Sequence, residues 1–339
     1  MTEIKRASIK DIADELKISV STVSRALQGN TRISQETIDK VQALAKKWNY
    51  KPNVAAKKLQ GGRSNTIGVV VPIIGRNFFS SAIEGIEETA HDAGYDVLIC
   101  QTHESYDLEK KVLSSFERGK VDGVIVSVAS ETTDYSHFKL LKNDGLPLVM
   151  FDRIVENVGD GMVSVDDFRG AYELTNHLIS QGYKKIYHYT SNPNVSVWRN
   201  RCEGYQTAMK EAGLVVGKEW IYEGGIRKED GEKYARILIE KGDIPEAIFC
   251  TSDYVALGVM LEFKEFGLRI PENIAVAGFA NEAFGSLITP SLTSVDQSSK
   301  KMGKTAAQTL IKILQGEKVE NVVLNPKLII RESTIKKSK

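Results

Sequence analysis

The sequence is poor in cysteine and has no long apolar run. Its three cysteines among 339 residues (Cys100, Cys202 and Cys250) are too few and too scattered for a disulfide framework or for paired metal-ligand spacing. No stretch of about 18 apolar residues occurs, which excludes a membrane-spanning helix. The first residues, MTEIKRASIKDIADEL, contain no apolar segment typical of a secretory signal. We therefore expect a protein of the reducing cytoplasm.

The short motifs of common enzyme classes are also missing. The chain has no Walker-type glycine-lysine loop, no GxGxxG, no GxSxG and no HExxH. Its five histidines, at positions 91, 103, 137, 177 and 188, show no metal-ligand spacing. We therefore expect a protein that is not an enzyme and that carries no cofactor or metal.

Charge is distributed unevenly along the chain. The formal net charge is only +1, yet residues 1–63 contain thirteen Lys and Arg against six Asp and Glu, a net charge of +7. The remaining 276 residues therefore carry −6. A basic segment on an acidic body is expected if only that segment meets a polyanion such as DNA.

The basic segment reads as three short helices. Ser8 and Asp11 form a capping-box start for the first helix, and Ser19 can cap a second after a link of two residues. A third helix is predicted from Ser34 to about Trp48. Two short helices joined by so tight a turn and braced by a third are typical of a helix-turn-helix.

A short hinge follows this unit. Pro52 ends the third helix, Asn53 can cap a helical piece over residues 54–60, and Gly61 and Gly62 then break the chain. So short a helix is not stable alone. We expect it to form only when something else holds it.

From residue 65 onwards, apolar runs alternate with amphipathic helical stretches. The runs include TIGVVVP, YDVLICQ, DGVIVSV, LPLVMFD, KIYHYTS, AIFCTSD and IAVAGFA. Continuous apolar strands linked by helices indicate parallel sheets covered on both faces. Because about 270 residues are too many for one core, we predict two α/β lobes with a ligand cleft between them.

The second helix carries the residues expected to enter a major groove. They lie outside its buried stripe and are Val20, Ser21, Thr22, Ser24 and Arg25. Arginine can bond two guanine acceptors at once, and valine can contact a thymine methyl group. The basic residues expected at phosphates, which fix register without reading sequence, are Lys10, Arg32, Lys46 and Lys47.

The run SIKDIADELKISVSTVSRALQGNTRISQETIDKVQALAKKWNYKPNVAAKKL resembles the head of the lactose-repressor/galactose-repressor (LacI/GalR) family of bacterial transcription regulators. STVSRAL followed by NYKPN is its most specific part, and TIGVVVP, DGVIVSV, SDYVALG, IAVAGF and PSLTSVDQ follow in family order. The resemblance implies a periplasmic-binding-protein-like sensor that dimerises and binds a palindromic DNA operator under control of a small-molecule effector. It adds Ser8, Asn53, Ala56 and Leu59 as DNA-binding residues, with Leu59 as a wedge in the minor groove.

The domain organisation expected from these patterns has four parts. They are a helix-turn-helix domain at 1–52, a hinge helix and linker at 53–63, a first sensor lobe at 64–164 plus 296–325, and a second lobe at 165–295 plus 326–339.

Positions matching the family's effector pocket can be carried over one at a time. They are Phe78, Phe79, Ser127, Asp152, Trp198, Arg201, Ile226, Asp253, Asn281 and Gln297. The planar guanidinium of Arg201 suits a carboxylate or adjacent hydroxyls of a ligand, and a structural ion pair is its alternative role. Asp253 opens a helix and is as much a cap as a ligand residue. Aromatic faces with an Arg and a few amides or carboxylates suggest a sugar or sugar derivative.

One position departs from the family pattern. After the IAVAGF strand the family usually has an Asp that takes ligand hydroxyls, whereas this chain has Ala280 and then Asn281. Since an amide both donates and accepts, we expect Asn281 to substitute. A transport-type sugar-binding protein is the alternative reading of the sensor, but it would need an export signal and no DNA-reading head.

Overall fold

A computed structural model gives the structure of the protein and describes residues 7–27, 29–50, 64–119 and 121–336. The chain forms two compact units, Met1–Ser64 and Asn65–Lys339, here called the head and the sensor. The predicted hinge, with Asn53, Ala56 and Leu59, lies outside the described residues. Within the described ranges, no helix is both long and apolar enough to cross a membrane.

The described part of the head contains three helices, α1 Ile9–Leu16, α2 Val20–Leu27 and α3 Gln35–Lys47. The predicted capping box is confirmed, because the Asp11 backbone N–H donates to Ser8 Oγ and the Ser8 backbone N–H donates to the Asp11 carboxylate. Ser34 caps α3 in the same way, by accepting from the Thr37 backbone N–H. Such caps satisfy N–H groups that have no partner inside the helix.

A small apolar core holds the head together. Ile12, Val23 and Val41, one from each helix, are inaccessible to solvent. Burying a side chain of this size stabilises the fold by about 1.5–3 kcal/mol. Between α1 and α2, Lys17 takes the left-handed conformation with a φ of 50° and lets the chain reverse within a few residues. The head therefore has the helix-turn-helix arrangement that its sequence predicts.

The described sensor residues form twelve strands: β1 Thr66–Val71, β2 Asp96–Gln101, β3 Gly123–Val126, β4 Leu148–Phe151, β5 Gly161–Val165, β6 Ile186–Thr190, β7 Ile221–Glu223, β8 Ala247–Cys250, β9 Ala275–Ala277, β10 Ser294–Asp296, β11 Val322–Leu324 and β12 Lys327–Ile329. The helices between them are α4 Asn77–Asp92, α5 Tyr106–Gly119, α6 Ser136–Asn143, α7 Asp167–Ser180, α8 Ser196–Glu211, α9 Lys228–Lys241, α10 Asp253–Glu265 and α11 Ser299–Leu314.

The strands form two parallel sheets, one in each lobe of the sensor. The first lobe has six strands in the order β11-β5-β4-β3-β1-β2, and the second has four in the order β7-β6-β8-β9. A short antiparallel pair, β10 with β12, adds a third sheet that the sequence does not predict. The predicted class, a helical head with a two-lobed α/β sensor built on parallel sheets, is confirmed.

Helix α11 lies against α4 and returns the chain to the first lobe. The backbones approach so closely that a Cβ added at Gly303 would overlap the carbonyl oxygen of Ala82. Only glycine fits such a contact, since it has no Cβ. The four-part domain boundaries drawn from the sequence stay a prediction.

Strand β2 differs from the expectation that every strand is covered on both faces. It lies at the edge of the first lobe's sheet, where Leu98 is 51% and Ile99 is 40% exposed. An edge strand has a neighbour on one side only, so its apolar side chains and one row of backbone groups stay open. The apolar run YDVLICQ alone does not distinguish this edge from a central strand.

Candidate functional sites

The first candidate site is the solvent-facing side of α2 in the head. Val20, Ser21 and Arg25 are exposed, and Thr22 and Ser24 are half-buried, while Val23 and Ala26 fill the core behind them. The sequence therefore assigns the buried and open faces of α2 correctly. No hydrogen bond or ion pair to the Arg25 guanidinium occurs within the described residues.

Hydroxyl groups at the start of α2 form hydrogen bonds with one another. Ser19 Oγ accepts from the Thr22 backbone N–H at 3.1 Å and lies 2.8 Å from the hydroxyls of both Ser21 and Thr22. Ser8 is exposed, and its hydroxyl donates to Asp11 within the capping box. The predicted phosphate contacts, Lys10, Arg32, Lys46 and Lys47, are all exposed.

The second candidate site is a cavity of about 60 Å³ between the lobes of the sensor. It lies near the carboxyl ends of the parallel strands, the usual place for ligands in α/β sheets. Seven of the ten predicted effector residues line it: Phe78, Phe79, Asp152, Trp198, Arg201, Ile226 and Gln297. The structure thus brings together residues from positions 78 to 297.

Ser127 supports the cavity from behind. Its hydroxyl donates to Asp152 Oδ2 at 3.2 Å, and both residues are buried. Burial raises the pKa of the Asp152 carboxyl above its usual value, although Arg153 and Arg201 oppose that rise. Ser127 therefore orients a lining carboxylate and does not itself line the cavity.

Arg201 is held by a partner that the sequence does not reveal. Its Nε and Nη2 lie 2.8 Å and 2.7 Å from Asp167 Oδ1, and its Nη1 donates to the carbonyl oxygen of Thr251. The guanidinium also lies 3.8 Å from the centre of the Phe279 ring. Burial, and not the ion pair, dominates at Asp167 and raises its pKa to about 6.

A second arginine has a similar support. Arg153 donates to both oxygens of Glu104, at 2.6 Å and 2.9 Å, and its guanidinium lies 4.9 Å from the centre of the Trp198 ring. Because Arg153 belongs to the first lobe and Trp198 to the second, this stacking joins the two walls of the cavity.

Besides Ser127, two predicted residues are not in the lining. Asn281 Oδ1 accepts from Arg331 Nη2 at 2.7 Å, and Asn281 does not line the cavity in this geometry; that it replaces the missing Asp stays a prediction. Asp253 is fully buried, where it accepts from the Ser294 hydroxyl and from the Glu282 backbone N–H. The helix cap is Ser252, not Asp253.

Glu282 lines the cavity in their place. Its Oε2 accepts from the Asn77 backbone N–H at 3.1 Å, across the cleft at the first turn of α4. This helix has no side-chain cap of its own, so a carboxylate from the opposite lobe satisfies its start. Beside it, Arg76 donates to the carbonyl oxygen of Ile226 at 2.7 Å, another contact between the lobes.

The remaining lining residues were not predicted as ligand contacts. They are Ile73, Arg76, Arg153, Val197, Thr251, Ser252, Phe279, Ala280 and Glu282. A wider groove of about 700 Å³ adjoins the cavity at Ile73, Arg76 and Ile226. Aromatic faces with a few converging polar groups are the usual lining of a small-molecule site.

Two family models match the chain. One, described as bacterial regulatory proteins of the lacI family, matches residues 8–53, and the other, described as periplasmic binding proteins and the sugar binding domain of the LacI family, matches residues 64–333. The chain belongs to the LacI family. It is therefore a DNA-binding transcriptional regulator with a periplasmic-binding-protein-like sensor.

Known relatives span nearly the whole chain. It is 31% identical over 329 residues to the HTH-type transcriptional repressor PurR of Photobacterium profundum, covering 96% of this chain and 98% of that protein. It is also 31% identical over 332 residues to the HTH-type transcriptional regulator DegA of Bacillus subtilis, with 97% and 98% covered.

Solved structures of transcription regulators have a fold similar to that of this chain. The transcription regulator CcpA of Lactococcus lactis has a TM-score of 0.74 at 28% identity and covers 79% of this chain and 98% of its own. A lac repressor dimer bound to operator and an anti-inducer has a TM-score of 0.86 at 23% identity and covers 98% of this chain and all of its own.

Proposed function

We propose that this LacI-family regulator represses transcription by binding a palindromic operator as a dimer, and that a sugar or sugar derivative in the sensor cleft controls this binding. The observation that carries the proposal is the open face of α2. There Arg25 projects from a helix whose other side is locked into the core, so its fork is available to a base pair. Because the target is chromosomal DNA, we expect the protein to act in the cytoplasm.

The dimer is supported by the open edge of the first lobe. Leu98 and Ile99 on β2 expose apolar surface at the edge of the sheet, where β2 pairs only with β1 among the described residues. Such an edge is usually covered, and a second copy of the same lobe would cover it. A dimer in turn supports an operator with two half-sites about one helical turn apart.

The hinge completes the proposed DNA contact. We expect two hinge helices to pair in the dimer, with Asn53 and Ala56 near the backbone and Leu59 unstacking a base step in the minor groove. Leu59→Ala is then expected to lose specific affinity while it keeps salt-sensitive nonspecific binding. Equal losses of both would count against the wedge.

The operator can be found without knowing the regulated genes. Full-length protein is used to select duplexes from a pool with a random centre of about 20 base pairs, and the dissociation constants of selected and scrambled duplexes are measured by fluorescence anisotropy at one salt concentration. We expect two-fold symmetric sequences to be enriched. Asymmetric enrichment, or none, would refute the proposed operator.

Arg25→Ala tests the reading residue on the selected duplex. We expect its affinity to fall about 10-fold to 100-fold, with little change on the scrambled duplex, because a bidentate base contact carries sequence information. The matched control is Arg118→Ala, an exposed arginine of the sensor. Equal weakening on both duplexes would make Arg25 a phosphate contact only.

Effector control is tested by a thermal-shift screen of sugars and sugar phosphates, followed by operator binding with each hit. A ligand that binds the protein must change operator affinity, and by linkage operator must change the ligand's affinity by the same factor. A hit with equal affinity in the presence and absence of operator would contradict the control proposed here.

A further inference from the structure

Two arginines beside the cleft cavity, Arg201 and Arg153, are already engaged by other groups of the sensor. Arg201 is engaged by Asp167 and by the Thr251 carbonyl, and both terminal nitrogens of Arg153 are engaged by Glu104. A ligand carboxylate or phosphate needs donors that are free to reach it. The guanidinium groups of Arg201 and Arg153 already have such partners within the sensor.

The third arginine is used as well. Arg76 donates to the Ile226 carbonyl at 2.7 Å and to the Ser252 hydroxyl at 3.4 Å, and its guanidinium lies 4.8 Å from the centre of the Tyr254 ring. Burial lowers the pKa of Arg76, and the nearby carboxylate of Glu282, on the loop after β9, is the charge that opposes this most. All three guanidinium groups around the cavity therefore have partners within the sensor.

Carboxyl groups outnumber these arginines. Besides Asp167 and Glu104, which bind the arginines, Asp152 and Glu282 line the cavity, held by the Ser127 hydroxyl and by backbone N–H groups at the start of α4. With every group ionised, the four carboxylates exceed the three guanidinium groups by one negative charge. Burial raises the pKa values of Asp152 and Glu282, as expected where an ionised carboxylate is poorly solvated.

The conformation of the loop after β9 places Glu282 in the lining of the cavity. Ala280 and Asn281 have φ values of 125° and 52°, both in the region that L residues rarely adopt. The conformation is held because Arg331 binds the Asn281 side chain and Asp253 accepts the Glu282 backbone N–H. Glu282 is only 4% exposed and belongs to the same cavity lining as Asp152.

We propose that the cleft selects an uncharged, hydroxyl-rich ligand and that Glu282 sets this selectivity. The proposal rests on the proposed function, in which the cleft holds the effector. Glu282 accepts a hydroxyl of the ligand, since its carboxylate lines the cavity together with that of Asp152. An acid or phosphate would bring a second negative charge to a site with no free guanidinium, and it is excluded for that reason.

The test uses full-length protein without DNA and ligand pairs that share a carbon skeleton. The probes are glucose with glucuronate and glucose 6-phosphate, galactose with galacturonate, ribose with ribose 5-phosphate, and the disaccharides maltose and cellobiose, measured by calorimetry at one pH and salt concentration. We expect the ligands that bind to be uncharged, with charged counterparts at least tenfold weaker. Tighter binding of a charged member, or no binding by any uncharged one, overturns the proposal.

Variants then assign the selectivity to Glu282. Glu282→Gln keeps the shape and one acceptor for the Asn77 N–H but removes the charge, so the preference for the uncharged member of a pair should shrink by about tenfold. Glu282→Asp keeps the charge and should retain the preference with weaker binding. The control is Glu240→Gln, at an exposed position on α9, which should change nothing.

An unchanged preference in Glu282→Gln would place the selectivity elsewhere and refute the role of Glu282. This test of charge selectivity can be distinguished from the test of the proposed function. An uncharged ligand that binds the cleft but leaves operator affinity unchanged would refute effector control, while the charge selectivity of the cleft would stand.

Discussion

Asp253 makes the stability of the sensor depend on pH in a calculable way. It is fully buried, and burial raises its pKa from 3.8 to about 7 despite hydrogen bonds from Ser294 and from the Glu282 backbone. The negative charge of Glu282 raises this pKa further, while Arg331 lowers it. The folded protein therefore binds this proton more tightly than the unfolded chain does.

The sign follows from linkage. Stabilisation by the protonated group is present in full below about pH 4 and is lost as the pH rises through about 7, because above that pH the folded state must bury a charge. A pKa rise of this size corresponds to about 4 kcal/mol, of which about 3 kcal/mol falls between pH 5 and pH 8. The unfolding free energy of wild-type protein should fall by that amount relative to Asp253→Asn, which cannot titrate.

The assay is urea unfolding at four values between pH 5 and pH 8, followed by tryptophan fluorescence. Trp220 is a suitable probe because it packs on Tyr187 in the same lobe, with ring centres 5.5 Å apart. The control is Asp243→Asn, since Lys185 and Tyr187 lower the pKa of that carboxyl and its titration falls below the measured range. A wild-type minus Asp253→Asn difference that is flat from pH 5 to pH 8, or that rises, would refute the reasoning.

Three further predictions concern the buried ion pair, the sheet edge and the head. Arg201→Leu leaves Asp167 buried without its partner and should lower the unfolding free energy by about 3–5 kcal/mol, and the double variant with Asp167→Asn should recover part of this loss in urea titrations. Leu98→Glu should yield monomers by light scattering, whereas Leu140→Glu, at a site that is 61% exposed, should leave the dimer intact. Ser34→Ala should destabilise α3 by about 1 kcal/mol, measured by hydrogen exchange of its amides.

The sequence predicts local structure well where short-range physics decides it. The Ser8 and Asp11 capping box lies within four residues, and the buried Val23 on α2 follows from helical periodicity. Apolar runs likewise locate the strands. They do not give the order of the strands within a sheet. Leu98 and Ile99 lie on an edge strand because of that order, which depends on pairing between strands far apart in the sequence.

The cleft shows where prediction from sequence stops. Phe78, Asp152 and Gln297 are located by family resemblance, but the ion pair between Arg201 and Asp167 joins residues 34 positions apart and has no local signature. The choice between Asn281 and Glu282 depends on backbone angles. Ala280 and Asn281 both have a positive φ, which is uncommon for residues other than glycine, and sequence spacing alone gives no sign of this.

Contacts between the lobes also bear on how an effector can act. Glu282 binds the start of α4 and Arg76 binds the Ile226 carbonyl, so polar groups of the protein itself join the cleft walls. Each such hydrogen bond to a charged group contributes about 1.5–3 kcal/mol net, and a ligand hydroxyl can take the place of one partner. An effector therefore needs only a few kcal/mol of differential affinity to change the lobe arrangement, which is the range of typical allosteric coupling energies.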